Sequence, residues 1–258
     1  MITLLTPSKT MDFTTPAPNY ARTERVLFPD EASQIRAELS TYSIDEIAQL
    51  MKVSQTIAER VTEMYHDTAV HKTALWTYIG DVFKGFQATT LSQKSAEYAQ
   101  QHLLIASAVY GLVRPYDAIA PYRLEMRARL SVGEARDMYQ FWGTVLADYV
   151  AERPELQSEC CVLSSDEYAK AVVSHLPSSV KVITPMFIDK KPSGVTSQVP
   201  IYNKMMRGVM ARWIVDNQID SLDDVTNFSA HGYSFNAKLS KPHKPAFYRP
   251  SMRPLVLA

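Results

Sequence analysis

Three groups of charged residues carry the chemistry legible in this chain. The first lies just after Tyr202. If that segment is helical, Met206, Val209, Met210, Trp213 and Ile214 share one face, and Lys204, Arg207, Gly208, Ala211 and Arg212 share the other. The apolar stripe would bury the helix. Three cations, with no acid between Ile201 and Val215, would stand outward. Small Gly208 and Ala211 among them would let a bulky anion approach, so the face reads as a phosphate-contacting stripe or as a plain solvated surface.

The second group surrounds Arg123. Tyr122, Leu124, Met126 and Leu130 alternate with Arg123, Glu125, Arg127 and Arg129. Period two predicts a strand with one charged face, although Pro121 would also suit a helical first turn; the length of the alternation favours the strand. Tyr110, Tyr116, Tyr122, Tyr139 and Trp142 lie nearby. Flat rings among cations suit unstacked bases and phosphate backbone, and equally suit half-buried strands. The turn YGLVRP, with Tyr110, Gly111 and Arg114, follows an apolar run. It reads as the hairpin of a helix-hairpin-helix element offering N–H groups to DNA phosphates, or as a glycine helix cap before Pro115.

Lys9 forms the third group with Asp166 and Glu167. Each stands just after a predicted strand, where ligands of α/β proteins bind. Lys9 could be a nucleophile or oxyanion stabiliser and Asp166 or Glu167 an acid/base, in an enzyme acting on a nucleobase, nucleotide or damaged DNA. The acids also complement the dipole of a helix they open.

The elements that would position these groups follow from pattern. Ile2, Leu4 and Leu5 predict a buried first strand, and 30–101 reads as helical. A capping box at Ser43 and Glu46 opens one helix, Ser54 opens a second to about Tyr65, and a third is predicted over 73–82. Strands are expected at 161–164, 180–188 and 195–201, the last two joined by a turn at 190–194. Ser164 and Glu167 predict a helix to Val173, and another runs over 203–217. Residues 220–224 should turn, and the Pro-rich end should be irregular. The expected fold is α/β in the mixed α+β sense: a single compact domain over 1–258, with a mixed sheet and a helix-rich N-terminal half.

Lysine plus arginine equals aspartate plus glutamate at 27 each, so no polybasic class fits. The balance is uneven along the chain. Lys238, Lys241, Lys244, Arg249 and Arg253 follow residue 227 without one acid, while Asp216, Asp220, Asp223 and Asp224 precede it. Adjacent Cys160 and Cys161 predict reduced thiols. The six histidines have no metal-ligand spacing, and no phosphate-binding glycine loop or Gly-x-Ser-x-Gly elbow occurs, so neither metal nor cofactor is expected. The start MITLLTPSKT lacks signal-peptide features and no apolar run nears the ~20 residues of a membrane helix, so a cytoplasmic protein without membrane partners is expected.

Eight stretches occur in one order: PSKTMDF at 7–13, GDVFKG at 80–85, YGLVRP at 110–115, PYRLEM at 121–126, YQFWG at 139–143, SDEY at 165–168, YNKMMRG at 202–208 and GYSF at 232–235. Together they resemble the YaaA family of bacterial peroxide stress resistance proteins. The resemblance implies a compact α/β fold, a positively charged cleft, a helix-hairpin-helix element, and DNA binding, duplex or distorted and single-stranded, that limits oxidative damage. It makes Lys9, Lys84, Arg114, Arg123, Lys204 and Arg207 cleft candidates, since each sits inside a matching stretch. His231 stands where the family often has an acid, and Met206 where a small residue is usual.

Overall fold

Every residue of the first strand, β1 (Ile2–Leu5), is buried, as a central strand covered on both faces requires. The computed structural model describes residues 1–66, 69–153, 159–251 and 254–255. Three helices follow: α1 (Pro29–Ser40), α2 (Ile44–Met51) and α3 (Gln55–His66). The capping box of α2 forms as predicted. The Glu46 N–H donates to Ser43 Oγ at 3.3 Å, and the Ser43 N–H donates to the Glu46 carboxylate at 2.8 Å.

The helix expected over 73–82 does not form. Its place is taken by β2 (Lys72–Thr73), a 3-10 turn at Ala74–Trp76 and the short α4 (Asp81–Phe86). The Ala74 N–H donates to Asp117 O and the Leu75 N–H to Pro115 O, so the start of this segment is tied across the fold, and only Thr77 and Tyr78 close a single turn back on Ala74 O. Helix α5 (Gln93–His102) runs directly into β3 (Leu103–Ser107), which hairpins into β4 (Gly111–Val113); β5 (Ala118–Ile119) pairs with β2.

Residues 122–130 are neither strand nor helix. They have no ladder partner and turn at 126–127, where the Ala128 N–H donates to Glu125 O at 3.0 Å, yet Tyr122, Leu124, Met126 and Leu130 are buried while Arg127 and Arg129 are exposed. Extended backbone alternates side chains whether or not a neighbour pairs with it. Then come α6 (Met138–Trp142), α7 (Val145–Ala151), β6 (Glu159–Leu163) and α8 (Asp166–Val173). The residue before α8 is Ser165, not Ser164, whose Oγ is buried without a partner.

The strand expected over 180–188 divides at Pro185 into β7 (Lys181–Ile183) and β8 (Met186–Lys190), which enter different sheets. Proline has no N–H to continue a ladder, and the residues on either side donate to His243 O and Pro245 O. The predicted turn forms, closed by the Lys191 N–H to Val195 O at 2.9 Å. Strand β9 (Thr196–Ser197) is short because Pro200 already opens α9 (Pro200–Asn217). The expected turn follows as a 3-10 segment at Asp224–Asn227. The end expected to be irregular holds β10 (Ser229–Ala230), β11 (Tyr233–Phe235) and β12 (Ala246–Arg249).

The main sheet has the order β4-β3-β1-β6-β7, with only β4 antiparallel to its neighbour. The second has the order β10-β11-β12-β8-β9, in which β12 and β8 are parallel. The result is a mixed α+β fold with a helix-rich N-terminal half. Cys160 and Cys161 are buried in β6 and unbridged; burial pushes the Cys160 thiol up to about 12, so it stays protonated.

Helix α9 touches β1 and β6 of the main sheet and β8 of the second, and packs most extensively on α4. The expected separation of its faces fails. Gly208 and Ala211, placed among the outward cations, are buried, as are Met206 and Met210. A Cβ on Gly208 would fall 1.8 Å from Val82 O of α4, and one on Gly85 of α4 would fall 2.0 Å from Met205 O. Gly208→Ala should therefore lower stability by roughly 1–3 kcal/mol or more in urea unfolding, although alanine is intrinsically the better helix former. Unchanged or raised stability would mean that the two helices do not approach this closely.

Candidate functional site

In the main sheet the chain leaves β1 toward β3 on one side, and β6 lies on the other. Such a reversal opens a crevice at the carboxyl ends of the strands. Here the crevice is a cleft of two chambers. The inner one, about 610 Å³, is bounded by the loop after β1, the Ser165–Tyr168 stretch after β6, the start of α4, the extended Arg123 segment and α9. The outer, about 950 Å³, shares Lys9, Arg123 and Glu125 with it and adds Lys52, Arg127 and Arg129.

Lys9, Lys84, Arg123, Lys204 and Arg207 all line the inner chamber, so five of the six residues carried over from the resemblance meet in one place. Three acids, Asp81, Glu125 and Glu167, line it too. Glu125 bridges Lys9 and Arg127, accepting from Arg127 Nε at 2.8 Å. Glu167 accepts from the Arg127 backbone N–H at 3.2 Å, and Asp81 lies 3.5 Å from Lys84. Among the described residues, Arg123, Lys204 and Arg207 have no ion-pair partner left.

Arg207 is the most enclosed of these. Its Nε is buried and has no hydrogen-bond partner among the described residues. Burial pushes its guanidinium down from the ordinary value, against the opposing charge of Asp166. Tyr122 also lines the chamber: Ser107 Oγ donates to its Oη at 2.9 Å, and the Tyr122 and Tyr78 hydroxyls meet at 2.8 Å. Burial pushes the Tyr122 phenol up to about 12, which keeps it un-ionised.

Other expected contacts lie elsewhere. Tyr110 and Gly111 belong to the β3–β4 hairpin, so the turn joins two strands rather than two helices. Gly111 is needed there because φ is +68° and a Cβ would fall 2.7 Å from Leu146. Tyr110, Tyr116, Tyr122 and Trp142 are buried in the core and offer no stacking faces at the surface. Arg114 is turned away from the cleft: its Nε and Nη2 donate to fully buried Asp117 at 3.0 and 2.8 Å. Arg212 caps α4, donating from Nη1 to Gln87 O at 2.8 Å and Phe86 O at 3.2 Å, and pairs with Asp216 at 2.6 Å. Asp166 is exposed and outside the inner chamber, whereas Glu167 shares it with Lys9. Of the late basic residues, Arg249 is buried against Asp189, and Arg253 lies outside the described residues.

Sequence reading passed over Glu125 as a bridge, Lys52, and the hydroxyls of Ser8 and Ser165. Glu125 had one signal, a lone acid among three arginines. Lys52, whose left-handed backbone ends α2, had none, nor had the serines.

Burial alone would disfavour the Glu125 charge, but the hydrogen bond and charge of Lys9, with those of Arg127, hold its carboxyl below the ordinary 4.5. A depressed carboxyl adds stability that is present above the unfolded value and lost as pH falls through the folded one. Glu125→Gln should therefore be less stable than the parent near neutrality, with the difference in urea midpoints shrinking as pH falls below the unfolded carboxyl value and through the lower folded one. A difference independent of pH would show that Glu125 is not held by these cations.

Among the described residues no group of three or more His, Cys, Asp or Glu side chains is placed to hold a metal ion, and no helix is long and apolar enough to cross a membrane. A family model described as peroxide stress protein YaaA matches residues 1–239, a span that includes β1, the extended Arg123 segment, α8 and α9, and so every wall of the cleft. By that match the chain belongs to the family of peroxide stress protein YaaA.

Proposed function

We propose that this peroxide stress protein binds DNA, without strong sequence preference, through the two-chamber cleft, and so limits oxidative damage. One observation carries the reading. Cations from the β1 loop, α4, the Arg123 segment and α9 converge on one cleft, and three of them lack an acid partner among the described residues. Lys9, Lys84, Arg123, Lys204 and Arg207 would meet phosphates in the inner chamber, and Arg127 with Arg129 would extend the track into the outer one. Phosphate contact of this kind positions a strand without reading its sequence. Duplex and distorted or single-stranded DNA remain equally suited to such a track.

If phosphates displace counterions here, log affinity for arbitrary DNA should fall linearly with log salt, by about 0.9 per duplex phosphate neutralised. Arg123→Ala should reduce that slope by about one. Arg114→Ala should leave the slope alone and instead cost roughly 3 kcal/mol of stability, because Asp117 would stay buried without its partner. Salt-independent binding would refute the cleft as a phosphate track.

A second reading is favoured by one specific contact pattern: Lys9 and Glu167 line the same inner chamber, as an enzyme acting on a nucleobase, nucleotide or damaged DNA would need. Against it, the Lys9 amine is already engaged by Glu125 rather than left free toward a substrate. Lys9→Arg separates the two. Arginine keeps the charge but cannot serve as nucleophile or base. Peroxide survival and DNA affinity should both persist in cells carrying Lys9→Arg; lost survival with intact folding and binding would favour the enzyme.

A further inference from the structure

We infer that the inner chamber is a subsite for a phosphate monoester, held by Arg207 together with Lys204 and Arg123. The bound group is either the terminal phosphate of a nucleic-acid strand or the phosphate of a free nucleotide. The inference rests on the DNA-binding reading only for the first of these sources.

Arg207 carries the argument. An enclosed guanidinium nitrogen with no partner among the described residues costs free energy that the fold does not recover by itself. Every acid in the chamber is already engaged: Asp81 by Lys84, Glu125 by Lys9 and Arg127, Glu167 by Arg127. Asp166, exposed and outside the chamber, acts on Arg207 through its charge without an ion pair, so the chamber keeps a surplus of positive charge that an anion from outside the chain would balance. Planar guanidinium matches phosphate with two parallel hydrogen bonds.

Three features select a monoester over a smaller or less charged anion. Arg123 and Lys204 are unpaired alongside Arg207, and a monoester carries about −1.5 to −2 charges at neutral pH, more than a carboxylate or an internal diester. Ser8 and Ser165 line the same chamber. Ser8 Oγ accepts from the Thr10 N–H at 3.0 Å, which leaves its own hydrogen free to donate to a phosphate oxygen beyond the two that Arg207 would engage. The volume, about 610 Å³, far exceeds one phosphate and falls among ordinary ligand sites of ~300–1,000 Å³. It leaves room for the sugar and base behind the phosphate.

Fluorescence anisotropy on the full chain tests this with one oligonucleotide bearing a 5′-phosphate or a 5′-hydroxyl, with covalently closed circular DNA, and with AMP and inorganic phosphate as competitors. The 5′-phosphorylated strand should bind about tenfold more tightly than its hydroxyl twin, the worth of one charge-assisted contact. Arg207→Met should bring that ratio to one, whatever happens to affinity in common. Lys204→Met, at an exposed position, should reduce it as well and serves should Arg207→Met unfold. Competition by AMP and phosphate without any preference between strand ends identifies the free nucleotide as the source and supports the subsite. AMP binding with no affinity for closed circular DNA would overturn the DNA-binding reading and leave the subsite standing. Equal affinity for both strand ends with no competition by AMP or phosphate overturns the subsite, as does a 5′-phosphate preference that survives in both variants.

Discussion

The cleft depends on how closely α4 and α9 approach. Glycines face backbone on both sides of that crossing, Gly85 against Met205 O and Gly208 against Val82 O, with no space for even a methyl group. Because the helices touch through backbone, Asp81 and Lys84 on one and Lys204 and Arg207 on the other open onto the same chamber. A wider crossing would carry these side chains apart. The same helix, α9, also touches β1 and β6, so its position relative to the strand ends is fixed by the sheet it covers. Small residues here serve packing, and the approach they permit is that of a second helix rather than of a ligand.

Charge is then sorted by what each cation finds within reach. Arg114 meets a fully buried aspartate, and Arg212 meets the open carbonyls ending α4; both are consumed by the fold. Lys9 and Arg127 meet Glu125, and that bridge joins the inner chamber to the outer at residues shared by both. Among the described residues Arg123, Lys204 and Arg207 form no ion pair, and Arg207 feels Asp166 only through its charge. A net charge of zero is thus compatible with a local surplus, because pairing elsewhere absorbs most of the balance. Exposed ion pairs of the Lys9 kind contribute little to stability, and their effect here is to hold side chains at the cleft mouth.

Local signals determined a definite part of this protein. The buried strand at Ile2–Leu5, the capping box at Ser43, the turn at 191–195 and the alternation of faces over 122–130 were all legible, because each depends on residues a few positions apart. Five stretches in particular, those holding Lys9, Lys84, Arg123, Glu167, and Lys204 with Arg207, supplied the residues that meet in the inner chamber, and the family followed from the same stretches.

Tertiary structure decided the rest. Residues 110–115 read as a helical turn, yet β3 and β4 claim their hydrogen bonds, and Gly111 faces Leu146 and Trp142. Residues 73–82 read as a helix, yet carbonyls of Pro115 and Asp117 take their N–H groups. The pairing of Arg114 with Asp117 is local in sequence, but that Asp117 is wholly buried is not. The capping of α4 by Arg212 joins residues more than a hundred positions apart, and the buried Nε of Arg207 finds no hydrogen-bond partner among the described residues. Periodicity tells which side of an element turns inward; it carries no information about which other element waits there, and that neighbour decides whether a cation is spent on the fold or left for a ligand.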